Sequence, residues 1–121
     1  MIRKVAFTMY PIEDTARARA FYEDTLGLTV GSHSDNGTWT EYDLPGGGCL
    51  ALFRTDTSEP SAKAGGTIAF EVDDLDAEMA RLEAAGVTFL SDLIHSPVCR
   101  MRVIADPEGN SILLHQLDAK G

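Results

Sequence analysis

The feature that most constrains this chain is a repeat. "VAFTMYPIEDTARARAFYEDTLGLTV" spans residues 5–30, and "IAFEVDDLDAEMARLEAAGVTF" spans residues 68–89. Both start with a short β-prone run, Val5-Ala6-Phe7 or Ile68-Ala69-Phe70. Both then reach an aspartate, Asp14 or Asp74, whose carboxylate suits the free N–H groups that open a helix. The helical stretches keep a 3.6-residue period. Ala18, Phe21, Tyr22 and Leu26 share one face of the first, and Leu75, Met79 and Leu82 share one face of the second. Each ends at a glycine, Gly27 or Gly86, where a left-handed cap costs little. Each glycine leads into a short strand, "LTV" or "VTF". A repeat of this kind implies two similar units rather than one irregular fold.

After each strand the period changes to that of hairpins. "TWTEYDL" (38–44) alternates, "PGGG" turns, and "CLALF" (49–53) returns. In the second half "CRMRVIA" (99–105) leads through "DPEGN" into "SILLHQ" (111–116). Gly- and Pro-rich turns between such runs mark hairpins. Gly46, Gly47 and Gly48 precede a strand rather than a helix, so they read as a turn and not as a phosphate loop. Residues 54–66 are polar and small, as in a linker. The expected organisation is a first βαβββ module over 1–55, a linker over 56–66 and a second module over 67–118. The fold class is α+β. Counting the faces that need cover gives a curved eight-stranded mixed sheet around a cavity, with the helices on its convex side.

The 121 residues suit one domain or two small units sharing a core. The net charge of −9 repels phosphate backbones and disfavours nucleic acid, while attracting cations. No apolar run approaches the roughly 20 residues that span a bilayer, so no membrane partner is expected. The first residues lack the pattern of a signal peptide, and cytoplasmic residence is the expectation. Cys49 and Cys99 form no CxxC and read as free buried thiols.

Three segments carry a resemblance. "DTARARAFYEDTLGL" resembles the first-helix signature of the vicinal oxygen chelate superfamily, which includes glyoxalase I, extradiol dioxygenases, fosfomycin-modifying enzymes and bleomycin-binding resistance proteins. "DPEGNSILLHQ" resembles its closing hairpin, and "IAFEVDDLDA" the start of its second half. The resemblance implies paired βαβββ modules. Metal-dependent members carry His or Glu ligands on strands facing the cavity. Carried over by position, the last ligand falls at Leu113, the one opening the second half at Thr67, and another at Ala51. The first-strand ligand falls at Phe7 without a gap, or at Lys4 if Tyr10-Pro11 is an insertion. None of these residues suits a catalytic divalent metal, which needs imidazole, carboxylate or thiolate. His33 and His95 are placed in loops. His115 lies on a strand, two residues beyond Leu113 and on the same face. No metal and no cofactor is therefore expected.

The candidate pocket residues follow from strand alternation. Trp39, Glu41 and Asp43 share one face of their strand, and Thr40 and Tyr42 the other; either face can line the concavity. Trp39, the single tryptophan, is core or a stacking wall for a planar ligand. Glu41 is a solvent-facing strand residue, or a carboxylate that pairs with a cationic ligand or serves as a base. Cys99, Met101 and Val103 share a face that suits a cavity wall, and Arg100 and Arg102 share the face that suits salt bridges. The candidate ligand-binding set is Phe7, Trp39, Glu41, Cys99, Met101, Leu113 and His115. Glu41 and His115 are the candidates for a catalytic base. Neighbouring strands can bring Cys99 and His115 together as a nucleophile pair, but no local motif supports that role.

A metal-dependent lyase or dioxygenase is disfavoured by the ligand count, a structural or regulatory domain is a further alternative, and two functions lead. One is a metal-independent small-molecule binder, as in drug sequestration, which the resemblance links to a homodimer. The other is a metal-independent isomerase or lyase using a carboxylate or histidine as base.

Overall fold

The computed structural model describes residues 1, 5–56, 58–63 and 66–118. It divides into two compact units, Met1–Pro60 and Ser61–Gly121. Each is strand–helix–strand–strand–strand and holds a four-stranded mixed sheet.

In the first unit the strands are β1 (Thr8–Ile12), β2 (Val30–His33), β3 (Trp39–Asp43) and β4 (Cys49–Arg54). Their order is β1-β4-β3-β2, with β1 parallel to β4 and the other pairs antiparallel. β4 is central because "LAL" can be buried on both faces: Leu50, Ala51 and Leu52 are all fully buried. Helix α1 (Thr15–Arg19) starts at Asp14, whose side chain accepts the Arg17 N–H at 3.0 Å. It continues as a π-helical segment, Ala20–Thr25. Ala18, Phe21 and Tyr22 are buried, and Tyr22 stacks on Tyr42 with ring centroids 6.0 Å apart. That contact fixes which face of the sheet the helix covers. Gly27 stops the helix at φ +79°, and the Leu28 N–H reaches back to the Tyr22 carbonyl at 2.9 Å.

In the second unit the strands are β5 (Ile68–Glu71), β6 (Ile94–His95), β7 (Cys99–Ala105) and β8 (Ser111–Leu117), in the order β5-β8-β7-β6. β5 runs parallel to β8, again joining the first strand of the half to its last. Helix α2 (Leu75–Ala84) starts at Asp74, which accepts the Ala77 N–H at 3.1 Å, and buries Leu75 and Leu82. Gly86 closes it at φ +79°, the value found at Gly27. The "DPEGN" turn is held by Asp106. Its Oδ1 accepts the Glu108 and Asn110 N–H groups at 3.0 and 2.8 Å, and its Oδ2 accepts Asn110 Nδ2 at 3.1 Å. Gly109 supplies the positive φ of +95° that the turn requires.

Three expectations need correction. The first strand is Thr8–Ile12 and not Val5–Phe7, which is exposed. Pro11 disguised it, yet β1 is an edge strand, where a proline is tolerated. "VTF" (87–89) is not a full strand: only Phe89 bridges, to Ile104. Backbone bonds from Ala105 to Thr88 and from Leu90 to Val103 run alongside it. The Ser91 hydroxyl then takes the Val103 N–H at 2.9 Å, where a regular ladder would use a carbonyl. The second strand of this half is Ile94–His95 instead, so His95 is a strand residue, and His33 likewise ends β2 rather than lying in a loop. The eight strands are hydrogen-bonded as two four-stranded sheets.

Candidate functional site

In the first unit, strand alternation places Trp39 and Glu41 on the face turned away from the helix, because Tyr42 faces it. An aromatic group gathers there. Phe7 meets Trp39 edge-on at 5.5 Å, and Phe53, its register partner on β4, does so at 5.6 Å. Phe7 is 45% exposed and Met9 43%, so large apolar surface stands open beside the indole. Trp39 Nε1 donates to Glu41 Oε1 at 2.8 Å. The bond fixes the indole plane and leaves Oε2 of Glu41 without a hydrogen-bond partner among the described residues. Cys49 belongs to this face too. Burial pushes its thiol up, and the carboxylates of Glu41 and Asp43 push it further, so it is a poor nucleophile.

In the second unit the helix face carries the arginines. Arg100 reaches Asp76 at 3.1 Å and Gln116 at 3.2 Å, and Arg102 lies 4.1 Å from the centre of the Phe89 ring. Both are structural. Leu113, His115, Met101, Val103 and Cys99 share the opposite face, with Met101 directly across from His115 and Val103 across from Leu113. Cys99 lies across from Leu117, and its Sγ is 2.9 Å from Ser96 Oγ. His115 pairs instead with Glu71 on β5, Nδ1 to Oε1 at 2.6 Å. The structure therefore gives Cys99 and His115 separate partners.

Glu71 escaped the sequence reading. Its signal was present: Ala69 and Glu71 alternate onto one face of β5, and a parallel partner strand puts Glu71 beside His115. The Leu117 N–H donates to Glu71 Oε2 at 2.8 Å. That bond first, and His115 second, hold the Glu71 carboxyl below the usual carboxylate range.

The positions at which the family resemblance would place metal ligands carry other chemistry. Ala51 is fully buried between its register partners Met9 and Glu41. Leu113 stands beside Ala69 on β5. Thr67 precedes β5 and shares a 2.6 Å hydrogen bond with Ser111. Lys4 lies outside the described residues. Among the described residues no three His, Cys, Asp or Glu side chains converge as a metal site would require. The donor set does not fit the ion that metal-dependent relatives hold.

TnmS3, an antibiotic-binding protein from Streptomyces sp. CB03234, is similar at 28% identity and a TM-score of 0.81, covering 97% of this chain and 98% of that one. A glyoxalase/bleomycin resistance protein from Streptomyces sp. CB03234 is 28% identical with a TM-score of 0.77, covering 93% and 100%. A superfamily member from Sphaerobacter thermophilus DSM 20745 is 26% identical with a TM-score of 0.80, covering 95% and 98%. No curated protein matches. The sequence profile described as the Glyoxalase/Bleomycin resistance protein/Dioxygenase superfamily matches residues 4–114, and the chain belongs to that superfamily.

Proposed function

We propose that this chain binds a small aromatic molecule on the sheet face around Trp39, without a metal, and sequesters it. The observation that carries this reading is the Phe7–Trp39–Phe53 group with Glu41 beside it. Partly exposed rings offer a stacking surface, and a carboxylate whose second oxygen has no hydrogen-bond partner among the described residues favours a ligand carrying positive charge. The likeness to an antibiotic-binding protein over nearly the whole of both chains supports binding as the activity. We further propose that it works as a homodimer, which light scattering in solution tests.

Trp39 is the only tryptophan, so the indole fluorescence comes from this residue. Proflavine, a planar cation, is the probe. Saturable quenching that weakens about tenfold in Glu41→Gln, one charge interaction of roughly 1.4 kcal/mol, is the expected result. Quenching that never saturates, or that is indifferent to Phe7→Ala and Glu41→Gln, defeats the reading. A second reading, a metal-independent isomerase or lyase, draws on the separate geometry at His115.

A further inference from the structure

On the helix-distant face of the second unit, β5 and β8 bring Glu71 and His115 into register although they are 44 residues apart. Glu71 is tied at both oxygens, to His115 Nδ1 at 2.6 Å and to the Leu117 N–H at 2.8 Å. An ionised carboxylate only accepts hydrogen bonds, so the imidazole proton must sit on Nδ1. In the neutral ring Nε2 is then a lone-pair acceptor. Nε2 has no partner among the described residues, and the side chain is 25% exposed. Met101 and Leu113 lie beside it on the same face, an apolar setting for an organic molecule.

We propose that His115, its ring oriented by Glu71, is a general base that takes a proton from an activated C–H or O–H of an apolar molecule on this face. The proposal rests on the second reading above and uses none of the residues gathered around Trp39. The Nε2 lone pair accepts the proton, and the electron pair of the broken bond passes into the substrate's own electron-withdrawing group. The resulting imidazolium remains paired with the Glu71 carboxylate. Glu71 is the positioning residue: it fixes the tautomer and ring plane without touching substrate.

Nitrobenzisoxazole is a probe that needs only a base. Its C–H proton moves to Nε2, the C–H electron pair forms the nitrile, the N–O bond breaks, and a coloured nitrophenolate leaves. The expected rate is about a hundredfold above an equal concentration of free imidazole, the low end of positioned base catalysis. His115→Gln abolishes it. His115→Phe, which keeps a ring of similar size without a lone pair, abolishes it too. Nitrogen NMR of the wild-type ring shows the proton on Nδ1, and Glu71→Leu moves it toward Nε2 while cutting the rate about tenfold. A wild-type rate no higher than free imidazole, a rate unchanged in both His115 variants, or a wild-type ring protonated on Nε2 overturns the proposal. Proflavine quenching of Trp39 distinguishes these failures from failure of the binding reading, since it reports on the other unit.

Discussion

Tyr42 on β3 donates its hydroxyl to Glu23 Oε2 at 3.0 Å, and the same oxygen receives Arg19 Nε at 2.6 Å. Arg19 and Glu23 flank the passage from α1 into the π-helical segment, so one carboxylate fastens that irregular turn to the sheet below. Burial, then Glu23, keeps the Tyr42 phenol above its ordinary range. Tyr42→Phe removes a hydrogen bond to a charged acceptor while keeping the ring stack with Tyr22. A loss of about 2 kcal/mol in urea unfolding is expected, with little change in circular dichroism.

Acid sensitivity follows from the same carboxylate. The hydrogen bond from Arg19 lowers the Glu23 carboxyl, burial opposes it, and Tyr42 adds to the lowering. The folded state therefore binds this proton more weakly than the unfolded chain. The resulting stabilisation is complete above the unfolded glutamate pKa of about 4.3 and disappears as pH falls through the lower folded value. Urea midpoints of wild type and Glu23→Gln should differ most near neutral pH and converge as pH falls through the lowered folded value.

Thr40 lies on the buried side of β3, and its hydroxyl has no hydrogen-bond partner among the described residues. A hydroxyl buried without a partner costs free energy that an apolar group of similar shape avoids. Thr40→Val should raise stability by about 1 kcal/mol, read as a higher thermal midpoint.

Asp106 predicts the opposite sign. It accepts three hydrogen bonds inside the closing turn, two of them from Asn110, which is itself buried. Asp106→Ala strands the Asn110 N–H in a dry site and should cost about 3 kcal/mol in urea unfolding. Asp106→Asn keeps one acceptor oxygen and should cost roughly half as much.

Metal addition supplies a fifth check. Zinc or nickel has no converging His, Cys, Asp or Glu donors among the described residues. Thermal midpoints with chelator and with added zinc should coincide. A specific site at about a hundredfold its dissociation constant would add about 2.7 kcal/mol, a rise of several degrees.

The repeat was legible because its punctuation is local chemistry. Asp14, Asp74, Gly27 and Gly86 act within a few residues of themselves, and all four do what their types favour. Errors arose where a distant partner decides the outcome. Thr8–Ile12 becomes a strand despite Pro11 because β4 pairs with it, and Val87-Thr88-Phe89 falls short of one because Ser91 intrudes on the ladder. Trp39 and Glu41 were recognisable as one face, but only Tyr42's contact with the helix says which face that is. Glu71 stayed hidden for the same reason: its partner lies on the far strand of the unit.

Both halves join their opening strand to their closing one in parallel, β1 to β4 and β5 to β8. The order in which the chain leaves the ribosome then matters. The early strand of each half waits as an unpaired edge until everything between has been synthesised, because its hydrogen-bonding partner is made last. Such long-range pairing slows collapse and prolongs exposure of apolar edges. The local helix, with its aspartate and glycine caps, needs no such distant partner and is the part able to form first.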